Sequence, residues 1–368
     1  MGDGYSSIGL IKSSIQSKAT TTTAKTVVKA EALPHPPLLS NSSLPVVVAE
    51  TGDSHSLRKC SIAERVTYVQ DSCRRAAGAS DTRAKRQAQV AAHRNIVVDK
   101  KHKILLCVPY KSGASTHLNL LAQNSDAVLK NTIPAEQLHK ILNSLSSPQS
   151  RKRVGLQDFT AFSTKDRQRL MNEYFKVTVV RHPFVRLLSM YLNKVGRFNN
   201  STMMWDCSDN YYGTDLQEWI RIKHPHRSSN CSLDLFIDYL LNHKSKMSRD
   251  MHTAPMHSWC GPCDVTYDYI VRLETGDTDQ QYLLQNKINP NFNRTLHENP
   301  ALHKNVNGES FESRWPQFRD VSDDQLRGLR EMYAPDLDLF GYEYERNGHE
   351  TSLKTKCHIN TSGASPCC

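Results

Sequence analysis

The sequence predicts an α/β fold, with a central, mostly parallel sheet flanked by helices. Three stretches point to it. Ile104–Val108, Phe175–Val180 and Thr266–Leu273 are short apolar or β-branched runs, the composition of buried strands. The first two each lead through a loop into apolar residues at helical spacing. Strand, short loop and helix in succession is the unit from which parallel sheets are built.

The chain has 368 residues, which suits one large α/β domain with appendages, or two domains. A hydrophobic content of 38% is enough for a sizeable core. Lys and Arg number 47 against 37 Asp and Glu, a net charge of +10. Such a balance favours anionic partners: nucleic acid, nucleotide, acidic polysaccharide or a membrane surface. No module signature supports nucleic acid. No apolar run reaches the ~18 residues that span a bilayer, and the first thirty residues lack the apolar core of a signal peptide. Met1-Gly2 with Ser6 matches a myristoylation pattern only formally.

Taken in order, residues 1–55 are rich in Ser, Thr, Ala, Lys and Pro and read as a disordered or stem-like segment. Helical signals follow at Ile62–Arg75 and Arg83–Arg94. Asn95–Asp99 reads as a strand that turns through Lys100-Lys101-His102 into Ile104–Val108, a hairpin. Pro134–Leu145 and Thr164–Tyr174 read as helices, the second capped by Ser163 or Thr164. Pro183 opens another helix, whose Phe184, Leu187, Leu188, Tyr191 and Val195 recur at core spacing. Residues 197–230 read as an irregular insertion with a helix at Asp215–Lys223, and Leu233–Asn242 reads as a helix. Asp279–Gln285 reads as helical and Phe292–Trp315 as loop. Ser322 caps a further helix, with Asp323 and Asp324 in its first turn, and Asp336–Tyr344 reads as a final apolar segment. The body of the fold is therefore expected over 56–346, with a polar tail over 347–368.

Two loops carry candidate chemistry. Pro109, Tyr110, Lys111, Ser112, Gly113, Ala114, Ser115 and Thr116 lie between strand and helix. Small residues let the backbone approach an anion, the helix N-terminus favours negative charge, and Lys111 adds a full positive one. An ordinary turn with a solvated lysine would look the same. Arg181 lies just past the end of the second strand, where open α/β sheets bind ligands, and Ser189 follows on the next helix. Two such sites on one sheet suit a ligand with phosphates at both ends.

These stretches resemble the Golgi carbohydrate sulfotransferases, in particular those acting on chondroitin, dermatan and related N-acetylgalactosamine or glucuronate glycans. The likeness rests on VPYKSGASTH at 108–117 and RHPFVRLLSMY at 181–191. It extends to NIVVDKKHKILLC at 95–107, to His252 with Cys260-Gly261-Pro262-Cys263, to Tyr267-Asp268-Tyr269 with Glu274-Thr275, and to 322–342. Three residues depart from the family's pattern: Tyr110 is an extra residue ahead of Lys111, and His117 and Thr253 stand where tryptophan is usual.

The resemblance implies a P-loop-like sulfotransferase fold. It implies a carbohydrate O-sulfotransferase that uses 3′-phosphoadenosine 5′-phosphosulfate as donor and no metal. Pro109, Lys111, Ser112, Gly113, Ala114, Ser115 and Thr116 would hold the 5′-phosphosulfate end, and Arg181 and Ser189 the 3′-phosphate. Lys111 would neutralise the leaving group, and His252 is the first candidate for the base that takes the acceptor's proton, with Glu274 and His182 in reserve. The partner would be a glycan or proteoglycan acceptor, and the location the Golgi lumen or membrane. Relatives are typically anchored by an N-terminal transmembrane helix, which this sequence does not display. A non-catalytic binder of acidic glycans on the same fold is the alternative. A P-loop kinase is disfavoured because the G-x-x-x-x-G-K-[ST] pattern is missing.

Ten cysteines and six N-x-S/T sequons, beginning at Asn41, Asn199, Asn200, Asn230, Asn293 and Asn360, lean toward a secretory lumen. Cys260-x-x-Cys263 lacks the second pair expected of a zinc site, so disulfides with partners elsewhere are expected there. Cys107, within an apolar strand, reads as a free thiol.

Overall fold

The structure is a computed structural model, and it describes residues 62–77, 94–227, 230–290, 318–347 and 350–355. The expected segment at 1–55, the helix over Arg83–Arg94, the loop over Phe292–Trp315 and the last residues of the tail lie wholly or almost wholly outside these.

In chain order the main elements begin with α1 (Ile62–Ala77), β1 (Ile96–Asp99), β2 (Ile104–Cys107), α2 (Ala114–Gln123) and α3 (Ala135–Asn143). Then come β3 (Leu156–Asp158), α4 (Thr164–Glu173), β4 (Phe175–Val180) and α5 (Pro183–Lys194). They continue with β5 (Gly196–Asn199), β6 (Met204–Cys207), α6 (Tyr211–Lys223), α7 (Leu233–Asn242) and α8 (Met256–Cys260). The last are β7 (Tyr269–Arg272), α9 (Gly276–Leu283), α10 (Asp323–Phe340), β8 (Tyr342–Asn347) and β9 (Glu350–Thr355).

Five strands form the central sheet in the order β3-β1-β2-β4-β7. β2, β4 and β7 pair in parallel, while β1 pairs antiparallel with both β2 and β3. Four strands therefore point one way and β1 alone runs against them. The strand residues alternate between two buried faces. Ile104, Leu106, Val177, Val179 and Val271 pack with Leu118 and Leu121 of α2 and Ile141 of α3. Leu105, Cys107, Val180 and Ile270 pack on the other face with Val69 of α1 and Phe340 of α10. Burial on both faces is why these runs are apolar throughout rather than alternating. A third cluster joins α5, α6, α7 and α10 through Leu187, Tyr191, Ile220, Phe236 and Tyr333.

Local signals set several boundaries. Ser163 Oγ accepts from the Asp166 amide at the start of α4. Ser322 and Gln325 close a reciprocal capping box at α10. Several expectations are corrected. Residues 197–207 form the hairpin β5–β6, in which Phe198 lies opposite Trp205, and α6 starts at Tyr211 rather than Asp215. The strands are only four residues long and largely uncovered, so no clean alternation marks them. Asp336–Phe340 is the end of α10, which continues through Pro335 before Gly341 stops it in the left-handed region. Past Arg346, where the sequence reads as a polar tail, β8 pairs with β9.

Cys107 is not a free thiol. It is bonded to Cys260, and Cys73 of α1 is bonded to Cys263. An apolar strand is a natural place for a half-cystine when α8 packs against it with a second one. The third bridge, Cys207–Cys231, ties the β5–β6 hairpin to the start of α7.

Candidate active site

The C-terminal ends of β2 and β4 lie side by side in parallel register, so the two loops that follow them meet. The Ser112 amide donates to Pro109 O at 3.1 Å and closes a four-residue turn. Lys111 takes φ 69° at its third position, where glycine or asparagine is usual. A lysine held there costs about 1–2 kcal/mol. Gly113 follows at φ 82° as the cap of α2, and a Cβ on it would lie 2.9 Å from Leu273 Cδ1. Backbone conformation and lack of space both require glycine there. The first intrahelical bond of α2 runs from the His117 amide to Gly113 O. The amides of Ala114 and Ser115 lie ahead of it, at the positive end of the helix.

Three groups from the second unit hold this loop. Arg181, 8% exposed, donates from Nη1 to Lys111 O at 3.0 Å. Arg186, 1% exposed, donates from Nε to Tyr110 O and from Nη1 to Ala254 O, both at 2.8 Å. Asn193 Oδ1 accepts from Lys111 Nζ at 2.5 Å. Arg186, Ser189 and Asn193 fall at i, i+3 and i+7 on α5 and share one side of the helix. Ser189 is half-buried on that stripe, and its hydroxyl makes no hydrogen bond among the described residues. The loop's Tyr110 reaches the third part of the site. Its ring meets the edge of His252 at 5.0 Å and that of Trp259 at 5.8 Å.

His252 is half-buried between Tyr110 and Tyr212, whose ring centroid lies 5.8 Å away. Asp250 accepts from the His252 amide at 2.9 Å and from the Tyr212 hydroxyl at 2.8 Å. His252 Nδ1 is covered and has no partner among the described residues. Burial, opposed by Asp250 and reinforced by Lys111, Lys194 and Arg186, holds the imidazole pKa below its ordinary 6.5. Burial also lowers Lys111 from 10.5 to about 8, helped by the neighbouring charges of Lys194 and Arg181. An anion in the loop would relieve both strains by restoring opposite charge beside the lysine.

The two reserve bases are structural. The His182 amide donates to Glu274 Oε1 at 2.7 Å, and the Tyr342 hydroxyl donates to Glu274 Oε2 at 2.9 Å. Glu274 is thus satisfied on both oxygens behind β7. His182 Nδ1 accepts from the Phe184 amide, capping α5, and Nε2 faces Glu343 O at 3.2 Å. Burial pushes its pKa down to about 3. His117 is also buried and lowered, with Nδ1 on Gly113 O at 2.9 Å. It braces the carbonyl of the cap residue. Thr253 donates to Met247 O at 2.6 Å and accepts Tyr333 on its own carbonyl, so it fixes the loop that carries His252.

Of Arg186, Asn193 and Asp336, the sequence points only to Arg186, three residues before Ser189 on the helix, and gives it no role. The first two could have been found as the polar stripe on an otherwise apolar helix. Asp336, fully buried, accepts from the amides of Met256 and His257 at the start of α8. Nothing local in the sequence marks it. Cys260 and Cys263 are both in disulfides and cannot act as thiolate ligands. Among the described residues, no group of three or more His, Cys, Asp or Glu is placed to hold a metal ion.

The site therefore sets a lysine, two arginines and a helix N-terminus beside a neutral imidazole. Such a set can hold a multiply charged anion and take a proton from a hydroxyl next to it. The profile of the Sulfotransferase family matches residues 94–343, which contain every one of these groups. The chain belongs to the sulfotransferase family. Carbohydrate sulfotransferase 12 of Mus musculus is 25% identical over 309 residues, covering 77% of this sulfotransferase and 69% of that protein. Carbohydrate sulfotransferase 11 of Mus musculus is 24% identical over 76% of this chain and 75% of its own. Carbohydrate sulfotransferase 14 of Danio rerio is 26% identical over 67% of this chain and 62% of its own. No solved structure matches the sulfotransferase significantly. Among its described residues, no helix is long and apolar enough to cross a membrane.

Proposed function

We propose that the protein is a carbohydrate O-sulfotransferase. It moves the sulfuryl group of 3′-phosphoadenosine 5′-phosphosulfate to a glycan hydroxyl, in a chondroitin, dermatan or other N-acetylgalactosamine-containing acceptor, within the Golgi. The observation that carries this reading is the bond from Arg181 to Lys111 O, which joins the two anion loops into one clamp. The names of the relatives support a carbohydrate acceptor.

The donor supplies an activated sulfuryl group, and transfer asks mainly for positioning and charge stabilisation. Lys111, the α2 amides and the hydroxyls of Ser115 and Thr116 hold the 5′-phosphate and balance charge as it leaves. Pro109, Ser112, Gly113 and Ala114 shape the backbone around it. Arg181 and Ser189 hold the 3′-phosphate and so fix register. His252, neutral near pH 7, takes the acceptor hydroxyl's proton on a ring nitrogen. The fit is supported by the space that only Gly113 leaves and by the uncompensated charge of Lys111.

The test is a panel of desulfated glycosaminoglycans and N-acetylgalactosamine-terminated glycans incubated with radiolabelled donor. Label should enter at least one acceptor, and Lys111→Ala and Arg181→Ala should each lower transfer by about 10²-fold or more. Transfer at the unaltered rate in both variants overturns the mechanism. Calorimetry that detects glycan binding without binding of the donor nucleotide would instead select a non-catalytic glycan binder.

A further inference from the structure

Three sequons fall among the described residues, and their asparagines stand in different surroundings. Asn199 ends β5, opposite Met204. Its Nδ2 donates to Asp206 Oδ2 at 2.8 Å, and its Oδ1 accepts from the amides of Ser201 at 2.9 Å and Thr202 at 3.3 Å. Both ends of that carboxamide are used to build the β5–β6 turn. Asn230 is half-buried next to the fully buried Cys231, and its Oδ1 is covered with no partner among the described residues. Asn200 is different. It is exposed at the hairpin tip, and its side chain makes no hydrogen bond among the described residues.

The six described cysteines are all paired, which suits an oxidising lumen where N-linked glycans are also attached. We propose that Asn200 is an N-glycosylation site of this protein and that Asn199 and Asn230 are not. In the reaction, Asn200 Nδ2 forms a bond to C1 of the first sugar of a lipid-pyrophosphate-linked oligosaccharide. The bond from C1 to the pyrophosphate oxygen breaks, the pyrophosphate leaves with its electron pair, and the amide gives one proton to the transferring enzyme.

A sugar on Asn200 displaces no hydrogen bond of the hairpin. On Asn199 it would replace a hydrogen of the group that binds Asp206 and press on β6. On Asn230 it would have to extend from a half-buried side chain beside a disulfide. Phe198 and Met203, exposed by 42% and 71%, flank the acceptor, and a hydrated glycan there would screen this apolar surface from other molecules.

The full chain, directed into the secretory pathway of cultured animal cells, is deglycosylated by an N-glycan amidase in heavy-oxygen water. Fragment spectra then locate the labelled aspartate. Label at Asn200 in most molecules, with Asn199 and Asn230 bare, is the expected result. Label at Asn199 or Asn230, whether or not Asn200 also carries it, or label at none of the three, overturns the proposal. Because the spectra come from the unaltered protein, a variant that fails to fold does not affect the outcome. As a second readout, Asn200→Gln should lose the glycan of this hairpin and Asn199→Gln should keep it.

Discussion

Arg186 donates its Nε hydrogen to the carbonyl of Tyr110 at 2.8 Å, across 76 residues of sequence. Its Nη1 holds Ala254 O, two residues from His252. One buried guanidinium thus fixes the lysine loop and the histidine loop relative to each other. Arg186→Met removes both donors and leaves two carbonyls short of a partner. It should lower the unfolding free energy by about 2–4 kcal/mol, read by denaturant titration. It should also weaken binding of adenosine 3′,5′-bisphosphate, read by calorimetry.

Lys111→Ala should leave the melting temperature nearly unchanged, because the ammonium's hydrogen bond is to an exposed asparagine. The maximal rate should fall by about 10²–10³-fold, the scale of removing one preorganised charge-stabilising group. Initial rates at saturating donor and acceptor check this.

The pH profile has a sign fixed by two groups. His252 must be neutral to accept a proton, and its pKa lies below 6.5, so kcat/KM should rise as pH climbs through that lowered value. Lys111 must be charged, and its free-enzyme pKa is about 8, so kcat/KM should fall as pH rises past that point. Between the two limits the profile should be flat. His252→Ala should lose the acidic limb and retain the basic one. An acidic limb that persists in this variant assigns the base to another residue.

Tyr110 directly precedes Lys111 in the loop, and its ring packs edge-on against His252 and Trp259. Tyr110→Phe keeps both contacts and should behave as the unaltered enzyme. Tyr110→Ala loses edge contacts worth about 0.5–1.5 kcal/mol beyond area. It should lower kcat/KM several-fold and broaden the acidic limb as His252 loses its wall. Parallel pH–rate series on the two variants separate positioning from simple loss of stability.

Much of this arrangement was legible in the sequence. The strands β2, β4 and β7, the loops after β2 and β4, and the caps at Ser163 and Ser322 follow from local chemistry: apolar runs, small residues and hydroxyls ahead of a helix. His182, Glu274 and Cys107 were harder to read. An imidazole, a carboxylate and a thiol carry the same chemistry whether they serve a reaction or the scaffold. Only three-dimensional partners, such as the Tyr342 hydroxyl on Glu274 or Cys260 on Cys107, decide between the two. The β5–β6 hairpin escaped because a four-residue strand with half its side chains in solvent has too little pattern to read.

The bridges at Cys260 and Cys263 also govern when the enzyme can be finished. Cys107 waits 153 residues for its partner and Cys73 waits 190. At about 5–20 residues per second of synthesis, the shorter wait lasts roughly 8–30 s. During that time the strand that leads into the lysine loop is a reduced, unanchored nascent segment. Closure of the bridge at the foot of the lysine loop therefore cannot precede the synthesis of Cys260, a residue that neither loop contains.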